Sequence, residues 1–180
     1  SVNQVKNITR KIEEQNIRGP KGELIRIEVF CHGALCMAVS GKCYLSLDNF
    51  NTSANRGACV QPCRRGYTVQ DRDQEITLAI ENEYIMSPKD LCTLPFLDKV
   101  LDAGVKILKI EGRGRSPEYT KVTVGVYSEA VKALQNGEFT EEKVAEWTER
   151  LRSVYNRDFW DGYYLGRKTG EWTQRYGSQA

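Results

Sequence analysis

The sequence predicts an α/β fold: the later part of a (β/α) TIM-like barrel, carried on a fragment of a longer chain. Three observations lead there. Strand-like and helical segments alternate along the 180 residues, and sequential strand–helix units imply parallel strands. Only two or three such strands are visible, although a parallel sheet needs both faces covered. The chain also opens inside a helical pattern, with Ser rather than Met at position 1.

Val2, Val5, Ile8 and Ile12 recur at helical spacing and predict an amphipathic helix over 2–16. Gly19, Pro20 and Gly22 stop it. Residues 24–30 alternate and carry enough β-branched side chains for a strand, with Cys31-His32-Gly33 following at its end. Residues 42–47 read as another short strand, and 48–66, rich in Asn, Gly, Ser and Arg, as loop. Residues 67–69 and 75–80 predict a hairpin around Asp71-Arg72-Asp73.

In Ser87-Pro88-Lys89-Asp90, Ser is a good N-cap, Pro suits the first helical position and Asp favours the positive helix start. A helix is therefore expected from there, disturbed at Pro95 and ending near Ala103-Gly104. Residues 105–110 (VKILKI) form a short apolar strand. Val122, Val126, Ala130 and Leu134 predict a helix over 117–136, with Gly137 as its stop. Thr140 caps a further helix to about Tyr155, and the tail from Asn156 has aromatics and glycines without clear period. The whole chain, 1–180, reads as one domain holding a cysteine-rich segment at 31–66.

Net charge is +2, so global charge does not announce a nucleic-acid binder. The distribution is uneven. Lys106, Lys109, Arg113, Arg115 and Lys121 crowd one stretch, while Arg56, Arg64 and Arg65 flank two cysteines. Residues 138–149 are acidic and read as a solvated helix face. No apolar run reaches membrane-spanning length and nothing resembles a signal peptide. The expectation is a cytoplasmic protein whose cysteines are thiols or metal ligands rather than disulfides.

Four of the six cysteines, Cys36, Cys43, Cys59 and Cys63, follow the pattern C-x6-C-x15-C-x3-C within 28 residues. Four thiolates can enclose zinc or an iron–sulfur cluster, and spacing leaves both open. The short Cys59/Cys63 pair brings two ligands together, and Gly33, Gly41 and Gly57 let backbone approach closely. The plainer alternative is four small apolar core residues. Cys31 and Cys92 fall outside the series and read as core thiols, with Cys92 a substitute ligand. His32 is the only histidine; such a residue is more often structural than catalytic, and no partner for it as a base is identifiable. Glu111-Gly112-Arg113 follows the 105–110 strand, where α/β folds place their sites; the alternative is a surface ion pair with nearby lysines. No serine has a G-x-S-x-G setting.

The blocks EVFCHGALCMAVSGKCYLS, SANRGACVQPCRRGY, YIMSPKDLC, AGVKILKIEGRGRSPEY and DFWDGYYLGRKTGEW resemble the collagenase-like peptidase family U32, and among its members the tRNA-hydroxylation (TrhP-type) branch. The resemblance covers most of the chain and implies a (β/α)-barrel catalytic domain, of which the start and a C-terminal extension lie outside this chain. Despite the peptidase name, it implies cluster-dependent hydroxylases that do not use oxygen. Branches act on the wobble uridine of tRNA with prephenate as hydroxyl donor, on a cytidine of ribosomal RNA, or on the ubiquinone ring. By position, GALC, GKC, GAC and QPC carry the ligands of a 4Fe–4S cluster onto Cys36, Cys43, Cys59 and Cys63. Cys92 stays as an alternative to Cys63, because some quinone-branch members take their fourth ligand well downstream. The leading expectation is an RNA hydroxylase acting on tRNA. Arg56, Arg64, Arg65, Arg113 and Arg115 would meet phosphate or a carboxylate donor, and Glu111, Arg113 and His32 would stand at the catalytic position. The rivals are a peptidase and a zinc-stabilised RNA-binding module without catalysis.

Overall fold

The computed structural model describes residues 1–38, 41–71, 76–78 and 84–166, and the chain parts into two compact units. The first comprises 1–33 and 90–166; the second comprises 34–89.

The first unit opens with helix α1, Val2–Glu14. Strand β1 runs Ile27–Gly33, three residues later than expected, so Cys31, His32 and Gly33 lie inside the strand and are buried. Strand β5, Val105–Ile110, pairs parallel with β1 from Ile27↔Val105 to His32↔Ile110. Strand β4 is Asp90–Cys92 and runs antiparallel to β1 at His32↔Cys92 and Gly33↔Leu91. Strand β6, Phe159–Trp160, lies parallel to β4. The four-stranded sheet has the order β5-β1-β4-β6. It is mixed, not all-parallel as sequential strand–helix units suggested. A strand at 159–160 escaped the sequence because two residues show no period.

Helix α3, Leu97–Asp102, follows a 3₁₀ turn at Leu94–Phe96. The helix expected from Ser87 does not form there. Asp90 N–H donates to Asp158 O (2.9 Å) and Thr93 N–H to Cys31 O (3.0 Å), so the chain enters the sheet and pairing on both sides overrides the local cap signal. Helix α4, Pro117–Asn136, matches its expected bounds: Ser116 Oγ accepts from Tyr119 N–H at 3.2 Å, and Gly137 ends the helix in the left-handed region. Helix α5, Glu141–Arg152, ends three residues earlier than expected. Val126, Tyr127 and Ala130 of α4 and Trp147 and Leu151 of α5 pack with Cys31, Cys92, Leu94 and Leu97 into the main core.

The second unit is built differently. Helix α2, Tyr44–Phe50, stands where a strand was expected. A short apolar run fits either period; here Leu47 N–H donates to Cys43 O at 3.1 Å, and Asn51 in the left-handed region ends the turn. Two 3₁₀ turns follow, Ala54–Arg56 and Pro62–Arg64. Strands β2, Val69–Asp71, and β3, Ile76–Leu78, form the expected antiparallel hairpin with the first strand two residues later than expected, so that Asp71 pairs with Ile76 instead of turning, and the rest of the turn lies outside the described residues. Among the described residues of this unit, the prolines Pro62 and Pro88 are the buried apolar side chains, and no aliphatic or aromatic side chain is buried.

Candidate metal centre and strand-end site

The second unit carries all four cysteines of the series. Every cysteine of the chain is a free thiol; Cys36 and Cys59 are exposed, Cys43 and Cys63 half-buried. Cys36 and Cys59 sit in irregular chain, Cys43 at a helix start and Cys63 in a 3₁₀ turn. Cys43 caps α2 in an extended conformation, and Cys63 lies in the turn opened by Pro62. Cys36 Sγ accepts from Ala38 N–H at 3.4 Å. The Ser46 hydroxyl beside Cys43, with backbone N–H groups of Ser46 and Leu45, favours its thiolate and lowers its pKa against a small opposing effect of burial.

Cys63 shows how the series is arranged. Burial raises its pKa first, the Arg64 guanidinium opposes this, and the thiols of Cys36, Cys59 and Cys43 then each push it up. Cys63 thus lies within electrostatic reach of the other three. Among the described residues, no three His, Cys, Asp or Glu side chains are grouped closely enough to hold one metal ion. The donor chemistry nonetheless suits a four-thiolate centre, and the described residues of the unit around it form no aliphatic or aromatic core, the setting in which small folds depend on a metal.

Of the arginines beside the cysteines, Arg56 and Arg65 are exposed, Arg65 over the Phe50 ring at 4.8 Å. Arg64 is buried. Its guanidinium donates to Leu35 O (2.6 Å), Ser87 Oγ (3.0 Å) and Pro88 O (3.0 Å), clasping the two ends of the unit. It therefore has an internal role that charge alone did not reveal.

In the first unit, the chain just past β5 meets the end of β1. Glu111 N–H donates to His32 O at 2.9 Å. A Cβ on Gly33 would lie 2.7 Å from Glu111 O, and Gly33 has φ +121°, so the close approach requires glycine. The Glu111 carboxylate accepts from Arg113 N–H at 2.9 Å, closing the turn, and the Arg113 side chain is exposed.

His32 is buried among Phe159, Tyr127 and Tyr119, with ring centroids 5.4, 5.6 and 6.1 Å away. Burial, helped by the Arg115 charge, lowers its pKa to about 4, so the imidazole is neutral near pH 7. Its Nδ1 has no hydrogen-bond partner among the described residues.

Arg115 faces inward. It pairs with Asp90 at 3.1 Å, and its guanidinium stands 4.6 Å from the Tyr155 ring centroid and 5.1 Å from that of Tyr119. Arg157 binds the other oxygen of Asp90 at 3.4 Å, and all three charged side chains are at most 4% exposed. Sequence reasoning missed this centre: Asp90 looked like a helix-start charge, and Arg157 stands 67 residues away without any local signal. Cys31 and Cys92 behave as core thiols. Burial pushes them up to about 12 and about 11, and Tyr127 OH donates to Cys31 O at 2.8 Å while lying 3.8 Å from Cys92 Sγ.

The sequence model of peptidase family U32 matches residues 1–174. The chain belongs to this family. It is 59% identical over 180 residues to a collagenase of Porphyromonas gingivalis, covering all of this chain and 44% of that protein. It is 35% identical over 180 residues to tRNA hydroxylation protein P1 of Bacillus subtilis, covering 96% of this chain and 42% of that one. Over 108 residues it is 43% identical to a 23S rRNA 5-hydroxycytidine synthase of Escherichia coli, covering 60% of this chain and 16% of that one. The chain thus spans less than half the length of these U32 relatives. No solved structure matches it. No helix among the described residues is long and apolar enough to cross a membrane.

Proposed function

We propose that this U32 chain is part of an iron–sulfur-dependent, oxygen-independent RNA hydroxylase of the cytoplasm, acting on the wobble uridine of tRNA with prephenate as hydroxyl donor. The observation that carries the reading is the series of four free thiols, Cys36, Cys43, Cys59 and Cys63, in a unit whose described residues form no aliphatic or aromatic core. Relatives named for tRNA and rRNA hydroxylation support the substrate class. Cys36, Cys43, Cys59 and Cys63 would hold a 4Fe–4S cluster. Such a cluster supplies a Lewis-acidic iron or an electron path. Arg56, Arg65 and Arg113, all exposed, suit RNA phosphate or a carboxylate. Arg115 and Arg64 hold the fold that presents them. Glu111 orders the turn carrying Arg113. The barrel belongs to the same proposal: β1–β5 and β4–β6 are its parallel pairs, and further staves come from the rest of the polypeptide.

A second reading, peptidase, is favoured by one observation: the relatives at 59% and 61% identity are named collagenases. Against it, the single histidine is buried, with Nδ1 facing no nucleophile among the described residues. The test is a strain whose copy of the gene carries Cys36→Ala. Loss of the hydroxylated wobble nucleoside, read by mass spectrometry of digested tRNA, is expected. Unchanged modification sinks the hydroxylase, and collagen cleavage by the pure wild-type protein, abolished by one point substitution, installs the peptidase.

A further inference from the structure

A cavity of about 290 Å³ opens in the second unit beside Cys43. Lys42, Tyr44 and Leu47, from α2 and the residues just before it, line it together with Thr52, Ser53 and Asn55 from the chain beyond. Its frame is set by backbone. Asn51, with φ 49°, turns the chain out of α2, and Thr52 N–H returns to Ser46 O at 3.1 Å. Ser53 O accepts from Arg56 N–H and Ala58 N–H, fixing that stretch of the lining. Gly41, with φ +71°, lies directly against the Asn55 side chain, where no Cβ would fit.

Three features define what such a cavity takes. Its volume stands at the lower edge of ligand sites, about 300 Å³, which suits a small metabolite better than a whole nucleotide. Lys42 is the charged residue among the described lining residues, and no acid accompanies it. Tyr44 is 75% exposed and Leu47 52%, leaving apolar surface that a ring or short chain would cover. Thr52 Oγ1 donates to Ser46 O at 3.3 Å and keeps its own lone pairs to accept. A single ammonium matches one negative charge. A doubly charged phosphate is typically met by guanidinium forks or several backbone N–H groups.

We infer that this cavity binds a small monocarboxylate bearing an apolar ring or chain, with Lys42 on the carboxylate and Tyr44 and Leu47 on the apolar part. Prephenate, the donor in the reading above, carries two carboxylates that one ammonium does not match, so this ligand is a separate molecule and its binding does not rest on that reading.

The test uses benzoate, neutral benzamide and inorganic phosphate on the anaerobically purified chain. Lysine acetylation read by mass spectrometry should show Lys42 protected by benzoate, with Lys21 and Lys106 unaffected. Calorimetry should show saturable one-to-one binding that Lys42→Gln weakens by about tenfold or more. Equal protection by benzamide, protection by phosphate alone, or no protection at all would each overturn the site. Benzoate binding alongside unchanged tRNA in the Cys36→Ala strain keeps the site and removes the hydroxylase; lost modification without binding does the reverse.

Discussion

The two units hold together by different means. In the first, a four-stranded sheet and two long helices bury Leu94, Leu97, Val126, Ala130 and Leu151 completely, or nearly so. In the second, the buried side chains among the described residues are polar or proline: Ser46, Arg64, Ser87, Pro62 and Pro88. Met37, Tyr44, Leu47, Phe50 and Val60 remain exposed there. Apolar burial at roughly 25 cal/mol per Å² stabilises the first unit and, among the described residues, contributes little to the second. A segment whose described residues form no aliphatic or aromatic core calls for a cross-link, and this one carries four thiols. Both units also contain a buried guanidinium. In the first, Arg115 and Arg157 bind a carboxylate; in the second, Arg64 binds carbonyls and a hydroxyl. The sheet-based unit tolerates charge by pairing it, whereas the loop-based unit uses charge to close its own ends.

The sharpest way to break this contrast is to remove one of the four proposed cluster ligands. Cys63→Ala, or chelation of the anaerobic protein, is expected to bring iron and acid-labile sulfide to background. Hydrogen exchange over 34–66 should then accelerate to near the unfolded rate, while 117–152 keeps its protection. A second unit that stays protected without metal would show that it needs no cross-link. Next in size is Asp90→Ala. It takes the carboxylate away from two buried guanidiniums and is expected to cost about 3–5 kcal/mol by denaturant unfolding. A loss under about 1 kcal/mol would mean the charged centre contributes little to the first unit.

How far the sequence reaches follows the same division. Helix α4 and strand β5 were legible because their signals are local: an N-cap serine, a proline, a glycine stop, a run of apolar residues. Strand β4 was not, because Ser87-Pro88 has helix-start chemistry while the pairing that makes Asp90–Cys92 a strand comes from residues 31–33 and 159–160. At α2 the period was too short to choose between helix and strand. In the candidate site, spacing singled out the four thiols, but neither spacing nor charge distinguishes an arginine on the surface from one inside. Arg56 and Arg64 look alike as letters; one is exposed and the other clasps Leu35 to Pro88. The centre at Asp90 joins residues 25 and 67 positions apart, and only the sheet brings them together.

A pH titration sharpens the contrast further, because the first unit holds its one histidine neutral. The folded pKa of His32 is about 4 against an ordinary 6.5. Between those values the unfolded chain binds a proton that the folded chain does not, so stability falls as pH falls through this window. The contribution is fully present above about 6.5 and lost below about 4, amounting to about 3 kcal/mol. Arg115, Tyr119, Tyr127 and Cys92 face the ring or pair with its strand; burial holds Tyr119 near 12 and Cys92 near 11, with Tyr127 higher still. His32 is therefore the member of this group that titrates in the window. His32→Phe should flatten the acid limb relative to wild type; an unchanged limb would place the proton elsewhere.

The smallest expected effect lies at the start of α4. Ser116 Oγ accepts from Tyr119 N–H, Tyr119 OH donates to Glu111 O at 3.3 Å, and the Tyr119 ring stacks near the Arg115 guanidinium. The cap thus anchors the residue that links the first helical turn to the strand end. Ser116→Ala removes one acceptor and should cost about 1 kcal/mol. Because Tyr119 is nearly fully buried, the frayed turn cannot simply swing into solvent. Exchange should therefore quicken at 117–120 and at Glu111 N–H, with 41–66 unaffected. Quickening confined to 117–120 would separate the cap from the Glu111 turn and leave that turn held by its own hydrogen bonds to His32 and Arg113.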